Sequence, residues 1–262
     1  MRTTALMVFA TLIAVCTPAV AQQNLQLKGA SPEAKRATQH YGKGWEAMHK
    51  EAWEEAAREF QAAIQSDDKF ALAYYGLGRA QMGLKNFPQA ITAYKDCRTL
   101  YVRLGGERFG NQMDYKRRIE DRMLEYQTAL QQAQQASSGK AASQSQQLYI
   151  TELRTQMQQL QFAKDRTDSN ITMDATVPYF VPMALGAAYF RAGQFADAER
   201  EYNEAIKANP SSGETHNNLA VLYLMTDRIA DAERAVARAE ETGFKVNPGL
   251  KDDIRKRRPG GR

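Results

Sequence analysis

Few side chains in this 262-residue chain are arranged for acid–base, nucleophilic or metal chemistry. The three histidines, His40, His49 and His216, belong to no metal-binding motif, and the two cysteines are not paired in a motif. The Gly105-Gly106 pair lacks the preceding strand and the lysine that a phosphate-binding loop requires. We therefore predict that the protein is not an enzyme and that it holds no metal or cofactor.

Acidic side chains are grouped at two places, Asp197-Glu199-Glu201 and Asp231-Glu233. Both groups lie in stretches that the repeat pattern described next predicts to be helical. Within those helices they fall on the side opposite a row of alanines, which is the side that faces solvent in an amphipathic helix. We interpret them as solvated faces rather than as catalytic or metal-binding carboxylates.

A spaced pattern of small residues provides the elements on which any functional surface must be built. A small residue is followed by a second one twelve positions later and a third one seven beyond that. Within each half of the chain the pattern repeats after 34 residues, which indicates stacked helical units rather than one globular core. The four copies are Gly44–Ala56–Ala63, Gly78–Ala90–Cys97, Gly186–Ala198–Ala205 and Ala220–Ala232–Ala239.

Large side chains alternate with these small ones. A small residue lets two helix backbones approach closely where they cross, and a large neighbour fills the space beside the crossing. Cys97 occupies one of the small positions, so we interpret it as a buried small hydrophobic residue. The large residues three before and four after each second small position are Trp53, Phe87, Phe195 and Ile229, and Phe60, Tyr94, Tyr202 and Val236.

This pattern resembles the tetratricopeptide repeat, a helix–turn–helix unit with an Ala-x3-Phe-x2-Ala signature and the same period. Leu77-Gly78 and Leu185-Gly186 match the signature of its first helix, and Pro210 matches the proline that closes a repeat. The copies cover about 37–70, 71–104, 179–212 and 213–246. The resemblance implies an all-α solenoid of about four repeats, with one pair in residues 31–104 and another in 179–246.

In this family the first helix of each repeat lines a concave groove that receives a peptide or a partner helix. Aromatic and methionine side chains dominate the corresponding positions here, which suits an apolar or amphipathic partner segment. Two other interpretations stay open: some of these residues pack on neighbouring helices, or the protein's own central helices fill the groove. The resemblance places the partner-binding groove at Tyr41, Trp45, Met48, Tyr75, Arg79, Met82, Phe180, Met183, Phe190, Asn217 and Val221.

Residues 105–178 separate the two pairs of repeats and do not fit the 34-residue period. Apolar residues at alternating steps of three and four predict helices over about 111–135 and 143–165. Turn-forming residues at 137–140 join them, so we expect a helical hairpin, coiled-coil-like, that projects from the solenoid and returns to it. The alternative for the glutamine-rich join is a loosely ordered linker.

The first 21 residues have the features of a secretory signal peptide. A basic start at Arg2 and an eleven-residue apolar run precede Ala19-Val20-Ala21, so cleavage is expected after Ala21. The run is shorter than the roughly 20 residues of a membrane span, which disfavours an anchor, and Val15 before Cys16 disfavours lipidation. We expect an exported protein, periplasmic or secreted, without stable membrane insertion and with a disordered lead at 22–30.

The formal net charge is +5, and much of the excess lies in the last residues of the chain, 247–262. Export argues against nucleic acid as a partner, and the basic tail carries no aromatic side chain on which bases would stack. The tail is interpreted either as solvated or as contacting anionic lipid or cell-wall polymer. Leu250 and Ile254, one turn apart, predict a short helix that caps the last repeat.

Together these observations favour a non-catalytic scaffold of the bacterial cell envelope that binds another protein in the concave groove. One alternative is a structural homo-oligomer organised by the central helices. Another is a protein that binds envelope polymer or lipid through the basic tail.

Overall fold

The computed structural model describes residues 29–136, 142–165 and 176–258. The expected signal peptide, most of the expected lead at 22–30, the join at 137–141, the loop at 166–175 and the last four residues lie outside this part. The described residues form helices and contain no β-strand. The helices are α1 Pro32–His49, α2 Trp53–Ser66, α3 Ala71–Gly83, α4 Phe87–Gly105, α5 Gln112–Ala136, α6 Gln144–Lys164, α7 Phe180–Arg191, α8 Phe195–Ala208, α9 Gly213–Met225, α10 Ile229–Glu241 and α11 Pro248–Arg257.

Four antiparallel helix pairs form the repeats: α1 with α2, α3 with α4, α7 with α8 and α9 with α10. The prediction of an all-α solenoid of four helix–turn–helix units is confirmed. All twelve small residues of the spaced pattern are buried. A side chain at Gly44, Gly78 or Gly186 would meet the aromatic ring of the partner helix at 2.5–2.7 Å, which explains why glycine is needed there.

The turn inside each repeat has the same backbone geometry in all four copies. One residue adopts a positive φ: Glu51 at 55°, Lys85 at 60°, Gly193 at 76° and Asp227 at 58°. The next residue donates its N–H to a carbonyl five residues earlier, as in Ala52 to Ala47 at 3.0 Å. This is the Schellman arrangement that ends an α-helix, and it sets the angle at which the second helix departs.

The stack of repeats is continuous across residues 105–178. α4 packs against α7 in the same way that α2 packs against α3 and α8 packs against α9. The second and third repeats are therefore direct neighbours in space, although more than seventy residues separate them in sequence. The intervening α5 and α6 are an insertion into an otherwise regular solenoid.

The prediction that the inserted hairpin projects from the solenoid is wrong. α5 packs on α1 and runs in the same chain direction, because Asp121 lies at Ser31, just before α1, and Gln132 lies beside Gly42, further along α1. α6 returns antiparallel to α5, because the Tyr115 hydroxyl donates to the Ala163 carbonyl (3.1 Å) and Lys164 pairs with Glu120 (2.8 Å) at the base of the hairpin. The hairpin thus covers part of the inner face of the repeats instead of extending into solvent.

Two carboxylates of α5 fasten it to the starts of the first helices. Asp121 accepts a hydrogen bond from the Ser31 backbone N–H (2.6 Å), just before α1. Glu125, one turn later, accepts from the Leu72 backbone N–H (2.7 Å) in the first turn of α3. Helix N-termini carry unsatisfied N–H groups and a partial positive charge, so both contacts stabilise the packed position of α5.

The interpretation of the acidic group on α8 as a solvated face is wrong for two of its members. Glu201 is buried and pairs with Arg98 of α4. Glu199 accepts from the Tyr223 hydroxyl (2.9 Å) and pairs with Arg228 (2.7 Å) of the fourth repeat. These acids connect successive repeats, a role that their position in the sequence pattern does not reveal.

α11 covers the end of the stack. Its Ile254 is buried, and the Arg257 guanidinium donates to the Leu224 carbonyl at the end of α9 (3.1 Å). The basic side chains of α11 are partly balanced within the helix, because Arg255 pairs with Asp252 and Lys256 with Asp253. Throughout 29–136, 142–165 and 176–258, no helix is both long and apolar enough to span a bilayer.

Candidate binding cleft

Five of the predicted groove residues are buried. Tyr41, Trp45, Met48, Tyr75 and Phe180 are each less than 9% exposed. They do lie on first helices, as the repeat pattern requires, but α5 and α6 pack over them. The inner face of the first two repeats is therefore partly buried beneath the hairpin.

The first repeat is built around an aromatic cluster. The Tyr41 ring lies 5.7 Å from Phe60 and 5.0 Å from Phe70, and the Trp45 ring lies 6.0 Å from Phe60. Edge-on and tilted contacts at these separations are the favourable geometry for aromatic pairs. Tyr41 and Trp45 thus hold α1 against α2, which is a structural role.

A second aromatic cluster joins α3, α6 and α7. The Tyr149 ring, presented by α6, lies 6.3 Å from Tyr75 at an interplanar angle of 23° and 4.9 Å from Phe180 at 79°. The Tyr75 and Phe180 rings are themselves 4.9 Å apart. Burial raises the pKa of the Tyr149 and Tyr75 phenols, so both rings stay neutral and pack as apolar groups.

The accessible part of the inner face is a cleft of about 440 Å³, called here the main cleft. First helices of all four repeats contribute to its walls, with the first turns of α6 along one side. Arg79 is exposed in it, and Met82 and Met183 are half-buried. The remaining lining residues are Met48, Trp53, Tyr75, Gly83, Tyr94, Ser145, Gln146, Tyr149, Tyr179, Phe180, Ala184, Ala187, Glu214 and Asn218.

The other three predicted groove residues do not line the main cleft. Phe190 packs against Phe195 at the turn of the third repeat, with ring centroids 5.6 Å apart. Asn217 and Val221 are half-buried on α9, and the neighbouring Asn218 takes the lining position instead. On α9, a residue that lines the cleft is therefore one position later in the chain than the resemblance places it.

A smaller cleft of about 350 Å³ lies on the opposite side of the α6 start, between α1 and α5, and is called here the side cleft. Ala129, Gln132 and Ala133 of α5 form one wall, and Trp45 and His49 of α1 form the other. Five residues line both clefts, namely Met48, Trp53, Arg79, Gln146 and Tyr149. The beginning of α6 therefore lies where the two clefts meet, and the two clefts together are called here the groove.

Arg79 is the cation at the centre of this groove. Its guanidinium carbon lies 4.8 Å from the centre of the Trp45 ring, which is a cation–π contact. It forms no ion pair or hydrogen bond with any residue in the described part of the chain. An exposed guanidinium next to aromatic surfaces is suited to bind a carboxylate of a partner, because it presents several N–H donors in a planar fork.

A buried polar cluster holds α5 in place beneath the clefts. Arg122 pairs with Glu125 (2.6 Å) and donates to the Tyr126 hydroxyl (2.9 Å), which in turn donates to Tyr101 of α4 (3.2 Å). Burial raises the pKa of Glu125 to about 7, although Arg122 and the Leu72 N–H act in the opposite direction. The charged pair is satisfied on both sides, which is what a buried ion pair needs to persist.

Tyr149 and the α5 charges were not identified from the sequence. Tyr149 is adjacent to the row of apolar residues along α6, and its type and position do not separate it from that row. Arg122 and Glu125 flank the α5 seam residues Ile119, Met123 and Tyr126, and their charge argued for exposure. In the sequence, the signal for such a buried cluster is a charged residue directly next to the apolar positions of a predicted helix.

In the described ranges no group of three or more histidine, cysteine or acidic side chains is arranged to hold a metal ion.

Comparison with known families identifies the repeats. A family model described as tetratricopeptide repeat matches residues 41–98 and 183–245, the two regions on either side of the α5–α6 insertion. No match is found among curated proteins. Tetratricopeptide repeats generally mediate protein–protein interaction, and proteins of this family are typically scaffolds without catalytic activity. On the match, the helix pairs and their turn geometry, the two halves of the solenoid are tetratricopeptide repeats.

Proposed function

We propose that this protein is a non-catalytic scaffold that binds a short segment of a partner protein in the main cleft. The observation that carries the proposal is Arg79, an exposed cation that has no carboxylate partner within the described residues and lies among the mainly apolar lining of the cleft. Arg79 and Glu214 are the charged residues that line the cleft; such charges orient a ligand, while the surrounding surface contributes most of the binding energy.

The composition of the walls supports a peptide as the occupant. Met82 of α3 and Met183 of α7 both line the cleft, and methionine side chains adapt to ligands of different shape. The cleft volume lies within the 300–1,000 Å³ typical of ligand sites, and it is smaller than the open groove expected for four uninterrupted repeats. A segment of a few residues fits this space better than a long partner helix.

Photo-crosslinking tests the proposal even though the partner is unidentified. A p-benzoylphenylalanine at Met183 samples the cleft, and the same group at Thr92 samples the outer face of the second repeat, where Thr92 is exposed. We expect a protein captured at Met183 and not at Thr92, and we expect Arg79→Ala to reduce its capture. Equal capture at both positions, or capture unaffected by Arg79→Ala, contradicts the proposal.

We further propose that this scaffold acts in the bacterial cell envelope after export. The support is the charged start, short apolar run and Ala-Val-Ala ending of residues 1–21. N-terminal sequencing of protein purified from its natural host is the test, and we expect the mature chain to begin at Gln22. A chain that retains Met1 on the membrane contradicts export by cleavage.

A second candidate function is a structural oligomer. Met113 on α5 and Phe162 on α6 are 71% and 67% exposed, near the base of the hairpin where Tyr115 contacts Ala163. Exposed apolar side chains near one another are a feature of subunit contacts. Light scattering of the wild type and of Phe162→Glu tests this candidate: it requires a multimer that the variant converts to a monomer.

The proposal of binding through the basic tail is tested by sedimentation with anionic vesicles.

A further inference from the structure

The first turns of α6 occupy the centre of the concave groove. Tyr149 and Gln146 line both the main cleft and the side cleft, so this segment lies where the two spaces meet. In a tetratricopeptide repeat protein the inner face is where a partner segment is expected. The segment of this chain that lies there indicates which ligand the groove accepts.

The contacts of this segment are those of a bound peptide. The Tyr149 ring packs on Tyr75 and Phe180, which belong to the second and third repeats. Five residues earlier, the Gln144 side-chain amide donates to the Thr242 carbonyl at the end of α10 (2.9 Å), in the fourth repeat. The start of α6 thus bridges three repeats through an aromatic anchor and a polar tether.

We infer that Tyr149 is an internal ligand of the groove, and that the natural partner displaces it with a segment carrying an aromatic ring beside a carboxylate. The inference rests on the proposed function, because it assumes that the groove binds a partner. The ring requirement follows from the surface that Tyr75 and Phe180 present to Tyr149. The carboxylate requirement follows from Arg79, which lies beside the Tyr149 site and has no acidic partner of its own in the part of the chain that the structure describes.

Displacement requires that α6 leave the groove at its start without unfolding the protein. α6 is held along its length by α5, and Leu153 and Leu160 are buried in that contact. Helix formation at its start is supported locally, by a capping box in which Ser143 and Gln146 bond each other's backbone N–H. Tyr149 and Gln144 connect this start to the repeats, so their removal opens the groove and leaves the α5–α6 pair intact.

A peptide supplied in trans tests the inference on the full mature chain. The probe is a fluorescent peptide of residues 144–155, and its binding is followed by anisotropy. We expect Tyr149→Ala to bind the probe at least tenfold more tightly than the wild type, because the internal competitor is gone. Tyr149→Phe keeps the ring and should bind as the wild type does. Arg154→Ala, an exposed change on the same helix, is the matched control.

Two altered probes test the partner chemistry. A probe with alanine in place of the tyrosine should not bind Tyr149→Ala. A probe with Gln146→Glu places a carboxylate next to the Arg79 position and should bind at least threefold more tightly. That gain should disappear in the Tyr149→Ala, Arg79→Ala double variant.

The outcomes separate this inference from the proposed function. Equal affinity of the probe for the wild type and a folded Tyr149→Ala, or equal binding of the tyrosine-free probe, overturns the internal-ligand inference and leaves cleft crosslinking at Met183 untouched. If circular dichroism shows that Tyr149→Ala is unfolded, Gln144→Ala takes its place, since it removes only the tether. It should still tighten probe binding severalfold, and an unchanged affinity overturns the inference.

Discussion

Arg98 of α4 and Glu201 of α8 form an ion pair that connects the two halves of the solenoid. One guanidinium nitrogen of Arg98 lies 2.9 and 2.7 Å from the two carboxylate oxygens of Glu201, whose side chain is only 2% exposed. The residues are 103 positions apart, on either side of the insertion. The pair fixes the second repeat against the third, where no short linker holds them together.

Arg98→Ala should therefore destabilise the fold. The variant leaves a buried carboxylate without its main partner, which costs about 1–3 kcal/mol in the free energy of unfolding. Chemical denaturation followed by circular dichroism measures the loss, and Glu204→Ala on the exposed side of α8 is the control. A loss in Arg98→Ala no larger than that in the control would show that the pair contributes nothing to joining the repeats.

Ala198→Leu should overpack a helix crossing. Ala198 is fully buried, and its carbonyl lies 3.2 Å from the position that a side chain on Gly186 would occupy. The larger residue forces α7 and α8 apart at an expected cost of roughly 1–3 kcal/mol. Thermal denaturation gives the comparison with Ala196→Leu, which lies two residues earlier on the exposed side of α8. Equal melting temperatures for the two variants would contradict the assigned packing.

Lys85→Gly should stabilise the protein. Lys85 has a φ of 60°, a conformation that a residue with a side chain adopts at a cost of roughly 1 kcal/mol and that glycine adopts freely. The gain is reduced by the greater freedom of glycine in the unfolded chain, so we expect a few tenths to about 1 kcal/mol. Gly193→Ala at the equivalent position of the third repeat should move stability in the opposite direction. Destabilisation by Lys85→Gly would refute strain in this turn.

Trp45→Ala should reduce stability rather than act on partner binding alone. Trp45 is 8% exposed and packs against Tyr41, Phe60 and the Arg79 guanidinium. Removal of a buried tryptophan typically costs about 3–5 kcal/mol, because a large cavity remains. Urea denaturation of the variant should show this loss, whereas Met183→Ala in the cleft wall should lose much less. Near-wild-type stability of Trp45→Ala would show that the ring is not part of the core.

Glu125 should make stability depend on pH. Its pKa is raised to about 7 in the folded protein, above the value of about 4.3 in an unfolded chain. The folded state therefore binds the proton more tightly, and the contribution of Glu125 falls as the pH rises from about 4.5 to about 7. Unfolding free energies measured across this interval should decline more steeply for the wild type than for Glu125→Gln.

Glutamine is close in size to protonated Glu125 and equally neutral, so the variant removes the titration of this carboxyl while changing its shape little. The slope, and not the absolute value, is the test. Parallel pH profiles for the wild type and Glu125→Gln would contradict a raised pKa for this carboxyl.

The amino-acid sequence alone determined the repeats of this protein. The requirement for a small residue at each helix crossing acts within one 34-residue unit, as between Gly186 and the Tyr202 ring of the next helix. Such local contacts leave a period in the sequence, so the fold class, the four helix pairs and the buried alanines followed from the pattern. The positions of the first helices, including Arg79 and Met183, followed for the same reason.

Only the tertiary structure decided which of those positions a partner can reach. The hairpin lies on the inner face because of contacts between residues far apart in sequence, such as Asp121 with Ser31 and Gln144 with Thr242. These contacts have no period, and each needs a single compatible pair of side chains. Burial of charged residues such as Glu201 and Glu125 also depends on a distant partner, Arg98 in one case and the Leu72 N–H in the other. Residue type alone favours exposure for an acid, so only the folded chain shows where a partner compensates for its burial.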